Sequence, residues 1–331
     1  LAELKGEVTM MFNKVLEPPK QLDLVDILQR LGVSYHFQDI RRILKKIGNT
    51  STHDGDVCKK ESLYTTSLEF RLLRQNGYNV PQEIFSNLKN GKGNFKVCLC
   101  DDIEGILALY EASLLLIEGE SIMEEARNFA TKHLKEYVNQ SNDQNLCARV
   151  NHALELPLHW RMPRLEARWF IDVYRSGKMN SILLELAELD SNMVQTVHQD
   201  ILKEGSRWWR HTGLGDLSFA RDRLMENFLW TVGVSFQPGL GYNRRVLTKV
   251  NALITTIDDH VYDVYGTLDE LEIFTDAVER WDVNATEKLP YYMQTCFLSL
   301  HNTINEMAFE TLKEKLKDST TFDTLKKALR P

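Results

Sequence analysis

The chain has 331 residues, 43% of them hydrophobic and 26% charged, which is the profile of a globular protein with enough length for one large or two ordinary domains. Its net charge of −7 excludes a general basic field for nucleic acid or an anionic membrane, so any anion must be held by a local cluster. No apolar run reaches the length of a membrane span.

Most of the sequence reads as helix, and strand-like alternation is scarce. Leu4 to Leu16 is amphipathic and is expected to stop at Pro18-Pro19, because proline cannot continue a helix. Gln21 to Leu31 follows, ended by Gly32. Gln38 to Ile47 is expected to run into a polar loop from Gly48 to Asp56. Ser62 to Asn76, Gln82 to Asn87, Ile103 to Ile117, Ser121 to Asn139 and Asn145 to Glu155 continue the series. The stretch Leu156 to Arg164 carries two prolines and breaks the rhythm, which puts a boundary within Pro157 to Asp172. Helices resume at Ile182 to Glu204, Phe219 to Val232, Arg244 to Val264, Leu268 to Arg280 and Tyr291 to Lys317. No fixed repeat period marks a solenoid. The fold class is all-α, divided into a helical domain over 1–165 and a second over 166–331.

Five cysteines, Cys58, Cys98, Cys100, Cys147 and Cys296, are odd in number and irregular in spacing, which argues for reduced thiols. Cys98 and Cys100 have no second ligand pair at zinc-like spacing and read as half-buried thiols. No secretory signal opens the chain, and both ends read as cut.

The segment Asp258-Asp259-His260-Val261-Tyr262-Asp263 carries the most chemistry. It crowds three carboxylates behind the apolar run Ala252 to Ile257. Acids there are costly to desolvate unless a cation meets them. Hard oxygen ligands on a helix suit Mg²⁺, which takes one or two carboxylates and leaves its other positions to water and phosphates. The expectation is a Mg²⁺–diphosphate site at the mouth of an apolar cavity. At about 100° per residue, positions i and i+4 share an α-helical face while i and i+5 do not. Asp259 and Asp263 are therefore expected to align, with Asp258 turned away.

Asp258 to Asp263 with the following Gly266 to Asp282 closely resembles plant class I terpene synthases. Gly32-Val33-Ser34-Tyr35-His36-Phe37, Leu109-Tyr110-Glu111-Ala112-Ser113, Arg164 to Ile171, Ser206-Arg207-Trp208-Trp209 and Phe219 to Asn227 carry the same likeness along nearly the whole chain. The flavour is that of the flowering-plant monoterpene and isoprene synthases. The resemblance implies an N-terminal helical domain without chemistry of its own and a C-terminal bundle with the active site. It implies that Asp259 and Asp263, with Asp258, hold Mg²⁺, Mn²⁺ being an alternative, and that Arg221 and Arg223 hold the released diphosphate. Arginine's planar fork suits phosphate oxygens. Trp230 resembles the aromatic wall residue that stabilises a passing carbocation with its ring face. The implied substrate is an allylic diphosphate, geranyl diphosphate or, for a shallow pocket, dimethylallyl diphosphate. The implied location is the plastid, with the cytoplasm as the reading in the absence of a transit peptide.

The chain departs from the family pattern in several places. The family's D-D-x-x-D appears with one extra residue, His260 standing in the second aspartate's place, and a π-bulge is one way to absorb it. Gly213 to Ser218 and Gln38 to Arg41 each look one residue short. The tandem-arginine motif of the family's N-terminus and its second metal motif, N/D-D-x-x-S/T-x-x-x-E, are not found. These departures keep two other readings open: a truncated remnant that binds diphosphate or another subunit without turnover, and a helical interaction scaffold. Exposed bundle faces would then favour self-association and marginal folding. Among lesser features, Asp101-Asp102 reads as helix-start chemistry, Arg244-Arg245 as a surface pair, Asp269, Glu270 and Glu272 as a solvated acidic turn.

Overall fold

The computed structural model describes residues 1–51, 62–177 and 180–317. Among these the secondary structure is helical without a strand; one isolated bridge pairs Lys89 with Phe95. Cys58, the rest of the expected loop to Asp56 and the last residues lie outside the described ones. The chain divides into two compact units, Leu1–Asn192 and Met193–Pro331.

In the first unit, α1 (Ala2–Lys14) ends before the prolines, but Pro18 and Pro19 open α2 (Pro18–Arg30) rather than lying between helices. The first turn of a helix has no use for the amide that proline lacks. α3 (Asp39–Ser51) runs through Gly48, where a loop was expected. Its apolar face explains the continuation, since Ile43, Leu44 and Ile47 are all buried. α4 (Leu63–Gln75), α5 (Ile103–Ser113), α6 (Ser121–Gln140) and α7 (Gln144–Glu155) follow the expected order, whereas α8 (Pro163–Ser176) forms where a break was expected, with Pro163 in its first turn. Asp102 caps α5, its Oδ1 accepting the Gly105 amide at 2.9 Å, so the acidic pair there is helix-start chemistry. Cys98 is exposed, while the Cys100 thiol is half-buried 3.5 Å from His133 Nε2.

One apolar core joins these helices, from Leu4 and Val8 through Phe70, Leu109 and Leu134 to Leu186. A charged cluster lies within it. Asp26 receives both Arg30 and Arg71, and Arg30 reaches Glu111 at 2.5 Å. Two of the family-like motifs pack directly together: a Cβ on Gly32, at φ +73°, would lie 2.8 Å from Ala167 Cβ. Buried Asp190 accepts from Tyr35 Oη at 2.5 Å and pairs with Arg164 at 3.4 Å.

The long α9 (Ser181–Thr212) carries the chain from the first unit into the second. There follow α10 (Leu224–Val234), α11 (Gly241–Thr256), a π-helical segment Ile257–Tyr265, α12 (Leu268–Arg280) and α13 (Tyr291–Lys317). The second core gathers Trp209, Leu214, Ala252, Leu253, Val261, Phe274, Met293 and Phe297. Glu270 is not a merely solvated acid: its carboxylate accepts from the Thr267 amide and hydroxyl and from Tyr292 Oη at 3.0 Å, tying α12 to α13. Arg244, expected at the surface, is fully buried and donates to the Ser235 and Gln237 carbonyls, whereas Arg245 pairs with Glu204 at 2.6 Å.

Candidate active site

The arginine element is not helical. Arg221 and Asp222 lie in irregular chain, and Arg223 is the residue before α10. Helix formation was expected from Phe219, but Asp222 Oδ1 accepts the Leu224 amide at 2.9 Å and starts the helix there. A short acid that bonds a backbone amide two residues on competes with helical geometry at its own position. Arg221 is exposed and pairs with Glu226 at 3.2 Å. The Arg223 side chain makes no hydrogen bond or ion pair among the described residues, and its Nε is buried without a partner. The Nε atoms of Arg71, Arg244 and Arg245 are buried in the same state, so burial alone does not single out Arg223.

α10 and α11 are antiparallel neighbours joined by two buried polar contacts. Asn227 Nδ2 donates to Thr255 Oγ1 at 3.1 Å, and the Thr231 and Thr248 hydroxyls meet at 3.1 Å. On the other side of the arginines, the Phe219 ring stacks on Tyr265, centroids 3.9 Å apart and 5° from parallel. Tyr292 stands edge-on to both rings. The strip Arg221-Asp222-Arg223 is thus fixed between 219, which meets residue 265, and 227, which meets residue 255. What lies between 255 and 265 is the acidic segment.

That segment is π-helical over Ile257–Tyr265, closed by the Gly266 amide donating to Val261 O at 2.8 Å. The α-helical premise used for the aspartates does not hold here. Bonding from i to i−5 gives about 4.4 residues per turn, roughly 82° per residue. Asp259, four back from Asp263, falls about 33° to one side of it, and Asp258, five back, about 50° to the other. Asp258 is therefore not turned away; both acids flank Asp263. Val261 is fully buried on the opposite face, and the three aspartates are exposed. None of the three makes a hydrogen bond or ion pair among the described residues. Among the described residues no group of three or more His, Cys, Asp or Glu side chains is gathered so that it could hold a metal ion.

Trp230 lies on α10 one turn beyond Asn227 and is 50% exposed. Met225, Leu229 and Val234 are exposed on the same helix. The sequence reading missed four residues that build this geometry: Phe219 and Tyr265 as a stacked clamp, and Asn227 and Thr255 as the cross-helix tie. The aromatics stood within the motifs already singled out, but their pairing needs the fold.

Known proteins resolve the lineage. Residues 1–154 match the terpene synthase N-terminal domain, and residues 210–330 match the metal binding domain of the terpene synthase family. The chain belongs to the terpene synthase family. It is 63% identical over 315 residues to a chloroplastic myrcene synthase of Quercus ilex, covering 94% of this chain and 52% of that protein. Isoprene synthase from grey poplar, solved with three Mg²⁺ ions and dimethylallyl-S-thiolodiphosphate, superposes with a TM-score of 0.84 at 53% identity, over 95% of this chain and 59% of that one. Limonene synthase with 2-fluorolinalyl diphosphate gives a TM-score of 0.88 at 48% identity, again over 95% and 59%. The chain thus spans about half the length of the curated relatives it matches.

The three carboxylates are of the chemical type that a hard divalent cation takes, oxygen donors without protein partners, but they are not gathered into one group.

Proposed function

We propose that the face formed by Asp258, Asp259 and Asp263 holds Mg²⁺, Mn²⁺ being an alternative, and with Arg221 and Arg223 engages the diphosphate of an allylic substrate, geranyl diphosphate first and dimethylallyl diphosphate second. The relatives solved with such ligands support the substrate class. The observation that supports the reading is the pair of contacts Phe219–Tyr265 and Asn227–Thr255, which join the chain on either side of the arginines to the chain on either side of the acidic segment. The chemistry falls in 166–331, and 1–165 acts as scaffold. The chloroplastic relative supports a plastid location.

The cation would neutralise charge on the leaving diphosphate, which is what ionisation of the carbon–oxygen bond requires. The aspartates fix where that charge sits. Arg223, held at the start of α10 with a free Nε, offers a charge-assisted donor to a phosphate oxygen. Arg221, exposed and paired with Glu226, can swing to the same anion by exchanging one carboxylate for another anion. Trp230 offers a π face to the cation left behind without acting as a base.

The test uses the purified chain with geranyl diphosphate and Mg²⁺, volatile products being read by gas chromatography. The expected outcome is product that falls at least about 100-fold in Asp259→Asn and in Asp263→Asn, the scale on which one electrostatic stabiliser acts. Mg²⁺-dependent diphosphate binding without product would establish the binding-only reading instead, and neither would leave the scaffold. The exposed apolar side chains of α10 give a second expectation, self-association, visible as concentration-dependent sedimentation.

A further inference from the structure

We propose that His260 is a positioning residue: its ring braces the π turn that lets Asp258 and Asp259 both flank Asp263. The proposal rests on the reading of this face as a metal site. The extra residue in the acidic segment must go somewhere, and a helix absorbs one residue by changing from i→i−4 to i→i−5 bonding. At the start of such a segment two successive amides meet one carbonyl, so the backbone ladder alone does not fix the junction. Thr255 stands at the junction, in the last turn of α11. His260 Nδ1 donates to the Thr255 carbonyl, spanning the same five residues as the π bond itself. A carbonyl can only accept, so Nδ1 carries the proton.

The brace is anchored at both ends. Thr255 is fixed through its hydroxyl by Asn227 of α10, the helix whose first residue follows Arg223. At about 82° per residue, His260 sits beside fully buried Val261, at the edge between core and solvent, where it is half-buried. Asp259 and Asp263 lie nearly opposite Val261. A chain of contacts therefore runs from the helix that follows the arginines through Asn227 and Thr255 to His260, the neighbour of Asp259. A return to α geometry would rotate Asp258 about 140° from Asp263 and lose one ligand from the face.

Asparagine and glutamine separate this role from bulk packing. The Nδ2 of asparagine occupies the place of the histidine Nδ1; the glutamine amide reaches one bond further, where Nε2 would be. The experiment compares the wild-type chain with His260→Asn, His260→Gln and His260→Ala, all checked for equal far-UV circular dichroism. Two quantities are read: amide hydrogen exchange over 257–266 without metal, and Mn²⁺ affinity by electron paramagnetic resonance of the free ion. The expected result is that His260→Asn keeps both, while His260→Gln and His260→Ala lose protection and bind Mn²⁺ about tenfold more weakly, as supporting residues around metal ligands do. Unchanged exchange or unchanged Mn²⁺ affinity in His260→Ala overturns the proposal, as does an asparagine variant that behaves like alanine. If the wild type itself binds no Mn²⁺, the functional reading fails and this inference with it; if only the variants bind as well as the wild type, the inference alone fails.

Discussion

Asn227 is the residue on which the two halves of the site depend. It is fully buried, and its Nδ2 meets Thr255 on the neighbouring helix. Asn227→Ala should cost about 1–3 kcal/mol, the range for removing one partner of a buried hydrogen bond, read by urea unfolding of the second unit. Cys296 shows the opposite use of burial. Burial alone pushes its thiol up to about 12. In the unfolded chain the thiol ionises near its ordinary value of 9.0, so folding keeps a proton that the unfolded state gives up. Its stabilising share is whole below about pH 9 and is lost as pH rises from there through about 12. At pH 8 iodoacetamide should therefore modify exposed Cys98 in the native chain and reach Cys296 only after denaturant is added.

Gly266 decides where the π segment ends. A Cβ there would lie 2.9 Å from the Val261 carbonyl and 2.8 Å from Leu271 Cδ2, and that carbonyl is the acceptor of the closing bond. Backbone cannot yield as a flexible side chain would, so Gly266→Ala should cost about 1–3 kcal/mol and raise amide exchange at 261–266. Elements of this kind explain what the sequence could show. α4, α5 and α7 were legible because Ser62, Asp102 and Asp143 cap their starts, a signal carried by single residues. The start of α10 was not, because Asp222 bonds Leu224 through a local turn that helix propensity does not register. The acidic segment was legible as a carboxylate cluster but not as a face. Its angular premise was α-helical, and the π geometry depends on a ring nitrogen and a glycine contact that no periodicity reveals.

At the scale of the molecule, each unit has its own apolar core, one running from Leu4 to Ala187 and the other built around Trp209, Leu253 and Phe297. Their electrostatics differ as well. Asp26 sits inside the first core, where desolvation opposes its charge, but the Arg30 and Arg71 guanidiniums outweigh this and hold its carboxyl down at about 2. The carboxylate is thus stabilising above its ordinary value of 3.8, and that contribution is lost as pH falls through about 2. The difference corresponds to about 2 kcal/mol. Asp26→Asn should cost more, about 3–5 kcal/mol, because it leaves two buried arginines facing Glu111 alone. The second unit holds no ion pair with both partners buried among its described residues: Lys249 is buried but its partner Glu306, 2.7 Å away, is exposed, and the buried links Asn227–Thr255 and Thr231–Thr248 are uncharged. Urea unfolding should therefore show two transitions. Asp26→Asn should move only the one reported by Trp160 and Trp169, and Asn227→Ala only the one reported by Trp208, Trp209, Trp230 and Trp281. Tryptophan fluorescence of variants that keep one set of reporters reads this directly, and a single transition that shifts as a whole with either substitution would show that the cores unfold as one.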